Sequence, residues 1–284
     1  MTLVVNIIGA GKIGKTIGRL LVNNNLAKIA GVCNRSLESS MEAIAFIGEG
    51  TYFSDMQSLP LADITFITVP DDSICETSVK ICHDGKIKPG SIFMHCSGVL
   101  TSDVLSAVKV KDALVASFHP MKSFSNPSLS VEDYPGTYCA IEGDPAALDI
   151  LEPLFNAMGS ITYPIEKEKK SLYHAAGVFA SNYLVTLTQQ AVNCLTGAGV
   201  KEQMALDIIL SLIKGALANM EQSMSPRDAL TGPIQRGDIS TIKTHLSAFF
   251  DPELRDLYAL LGQFTIPLTA HDLATKTQLK IELS

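Results

Sequence analysis

Residues 7–18 read IIGAGKIGKTIG. Gly9, Gly11 and Gly14 stand at the spacing of a dinucleotide-binding turn, a pattern that chance also produces, so the neighbouring residues decide what it means. Upstream, Leu3 to Ile8 is apolar apart from Asn6, as expected of a first strand buried on both faces. Downstream, KTIGRLLVNN puts Ile17, Leu20 and Leu21 at helical spacing. The turn therefore joins a strand to a helix. In that setting Gly9 permits the tight turn, Gly11 lets a phosphate approach the backbone, and Gly14 lets the helix pack close to the strand. Ala10, Lys12 and Ile13 complete the loop, and the free amides at the helix N-terminus suit a pyrophosphate.

Working outward, short β-branched runs alternate with helical patterns to about residue 165: Leu3 to Ile8, Ile29 to Cys33, Ile64 to Val69, Ser91 to His95, Leu114 to Phe118, Tyr138 to Ile141 and Ile161 to Pro164. Such alternation predicts a parallel sheet covered on both faces. From Glu166 the texture is helical, with a long stretch ending at Gly197 and Gly199 and further helices over about 201–223, 238–249 and 252–264. The expected fold is α/β, a doubly wound Rossmann sheet over residues 1–165 followed by an all-α domain over 166–284. No glycine- or serine-rich linker divides them, so rigid packing is expected.

The 284 residues are 46% hydrophobic and 18% charged, a globular composition. With 22 basic and 29 acidic residues the formal charge is −7 and no long basic run occurs, which argues against nucleic acid or an anionic membrane and for a small-molecule partner. The six cysteines form no C-x-x-C pair and are expected to be reduced core thiols. MTLVVNIIGAG lacks the features of a signal peptide, and no segment is expected to supply the roughly 18 apolar residues of a membrane span. A soluble, cytoplasmic protein is expected.

At the end of the second strand, where an acidic residue would bind the ribose of NAD, the chain has Asn34, Arg35 and Ser36. An amide, a guanidinium and a hydroxyl are donors for a 2′-phosphate, so NADP(H) is the expected cofactor. Val69, Pro70 and Asp71 in ITFITVPDDSI end another strand at the ligand-binding edge, where they either line the cofactor or simply begin a helix.

Candidate chemistry lies in HCSG (His95 to Gly98), SFHPMKSF (Ser117 to Phe124) and YHAAGVFASNY (Tyr173 to Tyr183). His95, Cys96 and His119 lack further ligands at a familiar metal spacing, and no metal is expected. His174 and Asn182, eight residues apart on one helix, are expected on nearly the same face, among Ala175, Ala176, Ala180 and Ser181. His174 could protonate an oxygen as hydride arrives while Asn182 donates to it; a packed helix contact is the plainer account of the histidine. Ser97 and His119 are further catalytic candidates, and Ser181 a substrate contact. In DALTGPIQRGD (Asp228 to Asp238), Thr231 and Arg236 either meet an anionic ligand or belong to a polar interhelical loop.

GAGKIG, NRS, VPDD, HCSG, the His119-Pro120 pair, HAAGVFASN and LTGPIQRGD together resemble a family of Rossmann-like oxidoreductases whose C-terminal part is a domain of unknown function. The resemblance covers nearly the whole chain and is most specific at LTGPIQRGD. More distantly the chain is similar to ketopantoate reductases, 6-phosphogluconate dehydrogenases and pyrroline-carboxylate reductases. In ketopantoate reductases a lysine on the first long helix of the second domain donates the proton; the resemblance implies that His174 takes that place here, with Asn182 two turns on. Some noncanonical ketopantoate reductases look like members of the same family. The implied activity is NADPH-dependent reduction of a small 2-oxo acid in the cleft between the domains, with 2-dehydropantoate as the leading substrate. Another small carbonyl or imino acid, or a non-catalytic NADP(H) sensor, are the alternatives. Apolar runs such as IILSLIKGALANM (Ile208 to Met220) predict a homodimer through the C-terminal helices.

Overall fold

The computed structural model describes residues 2–84 and 86–284. Two compact units divide it, the first running to Ser181 and the second from Asn182 to Ser284. In the first unit β1 (Leu3–Ile8), α1 (Lys12–Asn23), β2 (Ala27–Cys33), α2 (Leu37–Ile47) and β3 (Thr51–Tyr52) precede β4 (Ile64–Ile67), α3 (Asp71–Asp84) and β5 (Ile92–His95). A 3₁₀ segment (Ser102–Lys111), β6 (Leu114–Pro120), α4 (Pro127–Glu132), β7 (Tyr138–Gly143), α5 (Pro145–Ala157), β8 (Ile161–Pro164) and α6 (Lys170–Gly177) follow.

The strands form one sheet in the order β3-β2-β1-β4-β5-β6-β7-β8. The order reverses between β1 and β4, and such a switch point opens a ligand crevice at the C-terminal strand ends. Successive side chains alternate between two cores. Ile7 and Phe66 pack with Ile17, Leu21 and Phe155 on one face, whereas Ile8 and Ile67 pack with Ile74, Ile81 and Leu105 on the other. Helix α1 buries Ile17, Leu20 and Leu21, each contributing roughly 1.5–3 kcal/mol.

The sheet departs from the expected all-parallel arrangement at β7, which runs antiparallel to β6 with Pro120 opposite Cys139. After β6 the chain does not cross back over the sheet: Met121 N donates to Tyr138 O at 2.8 Å, so β7 starts where β6 ends. A parallel strand would need a crossover to the opposite edge.

The second unit holds α7 (Tyr183–Gly197), α8 (Glu202–Ser223), α9 (Pro233–Arg236), α10 (Ile239–Ala248), α11 (Pro252–Thr265) and α12 (Leu273–Glu282). Asp238, Asp251 and Asp272 cap α10, α11 and α12 by accepting from first-turn amides. The single long helix expected from Glu166 is instead interrupted. A 3₁₀ turn opens it at Lys167–Lys169, and a wide π turn spans Val178–Asn182. Lys170 and Tyr173 bond to the sheet, which is why α6 belongs to the first unit and the division falls later than residue 165.

Helix α8 buries only Ala205 and Ile209, leaving Leu206, Ile208, Leu210, Leu212, Leu217 and Met220 exposed. Against expectation, its 22 residues, with an 18-residue window of mean hydropathy 1.2, make it long and apolar enough to cross a membrane by length and composition. One such helix is weak evidence for a span, because a helix that packs on another protein surface has the same character. The cysteines are all free, but only Cys33, Cys96 and Cys139 are buried, whereas Cys75 and Cys194 are exposed.

Candidate functional site

The three glycines of the first turn serve different needs. Gly9 has φ +81°, and a Cβ there would lie 2.5 Å from Val69 Cγ1. A Cβ on Gly14 would lie 2.5 Å from Thr68 Oγ1. Gly11 has an ordinary φ of −77°, and the nearest atom to a Cβ would be Gly9 O at 3.9 Å. Gly9 and Gly14 are therefore glycines for the sake of the protein's own packing, and Gly11 for the space outside it. That open approach leads to the N-terminus of α1, where no side chain caps the amides and no acid occupies the first turn. With Lys12 exposed beside it, the loop fits a dinucleotide pyrophosphate.

The turn after β2 corrects part of the sequence reading. Asn34 Oδ1 accepts from Ala10 N at 2.6 Å, and its Nδ2 donates to Ser39 O at 2.9 Å. An amide accepts through its oxygen and donates through its nitrogen, so Asn34 locks the two turns together. Ser36 likewise caps α2: its hydroxyl accepts from Ser39 N at 3.2 Å and donates to Ser39 Oγ at 2.9 Å. Arg35 remains exposed, with no hydrogen bond or ion pair among the described residues. Val69, expected against the cofactor, packs on Gly9, and Pro70 O accepts from Ser73 N to start α3. Thr68, which the sequence reading passed over, braces the loop from below, donating from Oγ1 to Gly9 O at 2.9 Å.

At the same sheet edge, side chains from four elements meet. Ser97 Oγ donates to Asp71 Oδ2 at 2.7 Å and accepts from Val99 N and Leu100 N. Next to it a Cβ on Gly98 would overlap His174 and lie 2.8 Å from His119 Nε2. The rings of His119 and His174 stand 5.9 Å apart. His119 Nδ1 pairs with Tyr173 Oη at 2.8 Å. Asp71, expected with the cofactor, thus belongs to the cluster of Ser97, His119 and His174.

Burial, with His174 and Lys170 nearby, pushes His119 down to about 4, so its ring is neutral near pH 7. Burial also raises the Tyr173 phenol, which stays protonated. His95 has a structural role. Its Nδ1 accepts from Ser97 N, its Nε2 faces Thr101 O at 3.1 Å, and burial lowers it to about 4.

Beneath the cluster lies a buried ion pair. Lys170 is 1% exposed and Glu142 5%, and they meet at 3.1 Å. Lys170 also donates to Ser117 Oγ, and Glu142 accepts from Ser102 N at 2.8 Å and Ser102 Oγ at 2.7 Å. Burial lowers the Lys170 ammonium, opposed by Glu142. Sequence reading missed both, because Lys170 ends a charged run, EKEKK, that looks solvated. A lone acid in the apolar strand YCAIEG was the available signal.

The remaining candidates lie elsewhere. Ser181 is exposed at the end of the first unit, and Asn182 opens the second. The π turn between His174 and Asn182 breaks the regular helical register from which a common face was expected. In the second unit Thr231 lines a shallow recess of about 220 Å³ with Asn219, Gln222 and Asp228. Arg236 is exposed, 3.8 Å from Asp238. Turn geometry accounts for Gly232 (φ +97°), Gly237 (φ +70°) and the capping Asp238.

Residues 1–120 match the Rossmann-like domain family, and residues 137–265 match a domain of unknown function, DUF2520. The chain carries a Rossmann-like domain followed by a DUF2520 domain. No curated protein matches it. Among solved structures, BF3122 from Bacteroides fragilis, provisionally described as an NADP oxidoreductase, is 22% identical with TM-score 0.75, over 94% of this chain and 98% of that one. Protein TM1727 from Thermotoga maritima is 26% identical with TM-score 0.70, over 93% and 98%. An imine reductase from Myxococcus stipitatus, in complex with NADP+, is 13% identical with TM-score 0.64, over 97% and 99%. The chain thus shares its fold with proteins described as an NADP oxidoreductase and an imine reductase.

Proposed function

We propose that the protein is an NADPH-dependent reductase of a small unsaturated metabolite. The observation that carries this reading is the placement of Gly98, His119 and His174 at the same strand ends that present the glycine floor. The bound dinucleotide supplies a hydride. Gly11 and the α1 amides hold its pyrophosphate, Arg35 meets the 2′-phosphate, and His174 donates a proton to the reduced group while Tyr173 and His119 fix one another. The relatives' descriptions as NADP oxidoreductase and imine reductase support the cofactor and the reaction class.

For a carbonyl substrate the first to assay is 2-dehydropantoate, reduced to pantoate, with Ser181 as the residue of the first unit expected to meet it. The reading is tested by titrating NADPH into the purified protein in a calorimeter and following its oxidation by absorbance with that substrate. Arg35→Ala is expected to weaken NADPH binding by about tenfold to a hundredfold, the loss of one charge-assisted phosphate contact, and to leave NADH binding unchanged. An unaltered preference for NADPH would remove Arg35 from the phosphate site.

We also propose a cytoplasmic homodimer built on α8, whose exposed Leu206, Leu210, Leu212 and Leu217 leave apolar surface for a second copy to cover. Light scattering at micromolar concentration should give twice the 30.4 kDa chain mass. Leu212→Asp, at a side chain 64% exposed, should give monomers. A native protein that is already monomeric would refute the assembly.

A further inference from the structure

Several charges around the cluster are paired. Lys170 of α6 is paired with Glu142 of β7, and Lys122, after β6, is paired with Asp133 at 2.9 Å. Asp103 of the 3₁₀ segment is engaged by Lys167. What remains unpaired is Asp71, with Asp72 beside it in α3. Ser97 holds Asp71 Oδ2, while Oδ1 accepts no hydrogen bond among the described residues, and Asp71 is exposed at the edge. Its charge acts on His95, His119 and Lys170, so it belongs electrostatically to the cluster. The ring of His119, neutral near pH 7, does not cancel it.

A carbonyl under reduction gathers negative charge on oxygen, which a neighbouring carboxylate opposes. An imine nitrogen is cationic once protonated, and the same carboxylate stabilises it. Resting on the reductase reading above, we propose that the substrate is a small imine reduced as its protonated cation, with Asp71 as the counter-charge that selects it. A proton passes from His174 to the nitrogen lone pair and hydride joins the carbon. The C–N π pair becomes the amine lone pair, with oxidation of the dinucleotide, and His174 regains a proton from solvent.

The test uses the full-length protein with NADPH, 2-methyl-1-pyrroline as imine and 2-methylcyclopentanone as the ketone of the same shape. A calorimetric titration of pyrrolidinium in the presence of NADP+ provides a readout apart from turnover. The imine should be consumed faster than the ketone. Asp71→Asn, which still accepts from Ser97, should lower imine kcat/KM and pyrrolidinium affinity on the order of tenfold to a hundredfold, and Asp71→Glu should restore part of each. Ketone turnover equal to that of the imine, or pyrrolidinium binding indifferent to Asp71→Asn, overturns the assignment. If neither probe is consumed, the pyrrolidinium titration alone decides it. NADPH that fails to bind the native protein would instead overturn the underlying reductase reading.

Discussion

Lys170→Met should lower the unfolding free energy by about 3–5 kcal/mol, the usual result of leaving one member of a buried ion pair without its partner. In this variant Glu142 keeps its two bonds from Ser102 but faces an apolar side chain in place of the ammonium. The same lysine ties α6 to β6 through Ser117, and α6 carries Tyr173 and His174. The loss should appear as a melting temperature lower by roughly 10 °C. The double variant Lys170→Met, Glu142→Leu should recover much of it, because both charges leave together. A single variant as stable as the native protein would show that the pair contributes nothing.

The second large effect is on turnover. With His174→Ala, kcat should fall by about a hundredfold to ten-thousandfold, the usual range for loss of a positioned general acid, with NADPH binding unchanged. His174 is the candidate donor because it is half-buried over Gly98 and its ring makes no hydrogen bond among the described residues. The neighbouring groups hold their protons for other reasons. His119 is neutral and paired with Tyr173, whose phenol burial makes a weaker acid. Turnover retained within tenfold would move the donor elsewhere. A protein that binds NADPH and turns nothing over would instead be a sensor.

Much of the fold could be read locally. Strand β1, the glycine turn and α1 follow from apolar periodicity and three glycines, and α8, α10 and α11 lie where helical spacing and caps put them. The two-residue strand β3 is too short for any pattern, and the reversal at β7 depends on where the chain goes after Pro120, which no local signal records. The site divides in the same way. His119 and His174 stand out in the sequence by their titratable rings, and the fold brings those rings to 5.9 Å of one another. The bracing role of Asn34 is not legible, because a free amide and one held between Ala10 N and Ser39 O have the same letter. Lys170 was hidden because a lysine's burial depends on a glutamate 28 residues away.

The reversed strand has a wider consequence. The Rossmann-like match ends at residue 120, with β6, and the DUF2520 match opens at residue 137, just before β7. A single sheet is therefore shared between two sequence families. Severing the polypeptide between them would strip β6 of its neighbour and leave its backbone amides as a raw edge open to aggregation. It would also strand Ser102 and Ser117 on one piece and Glu142 and Lys170 on the other. The borders of the two family matches and the borders of the sheet that must fold as one differ in this chain.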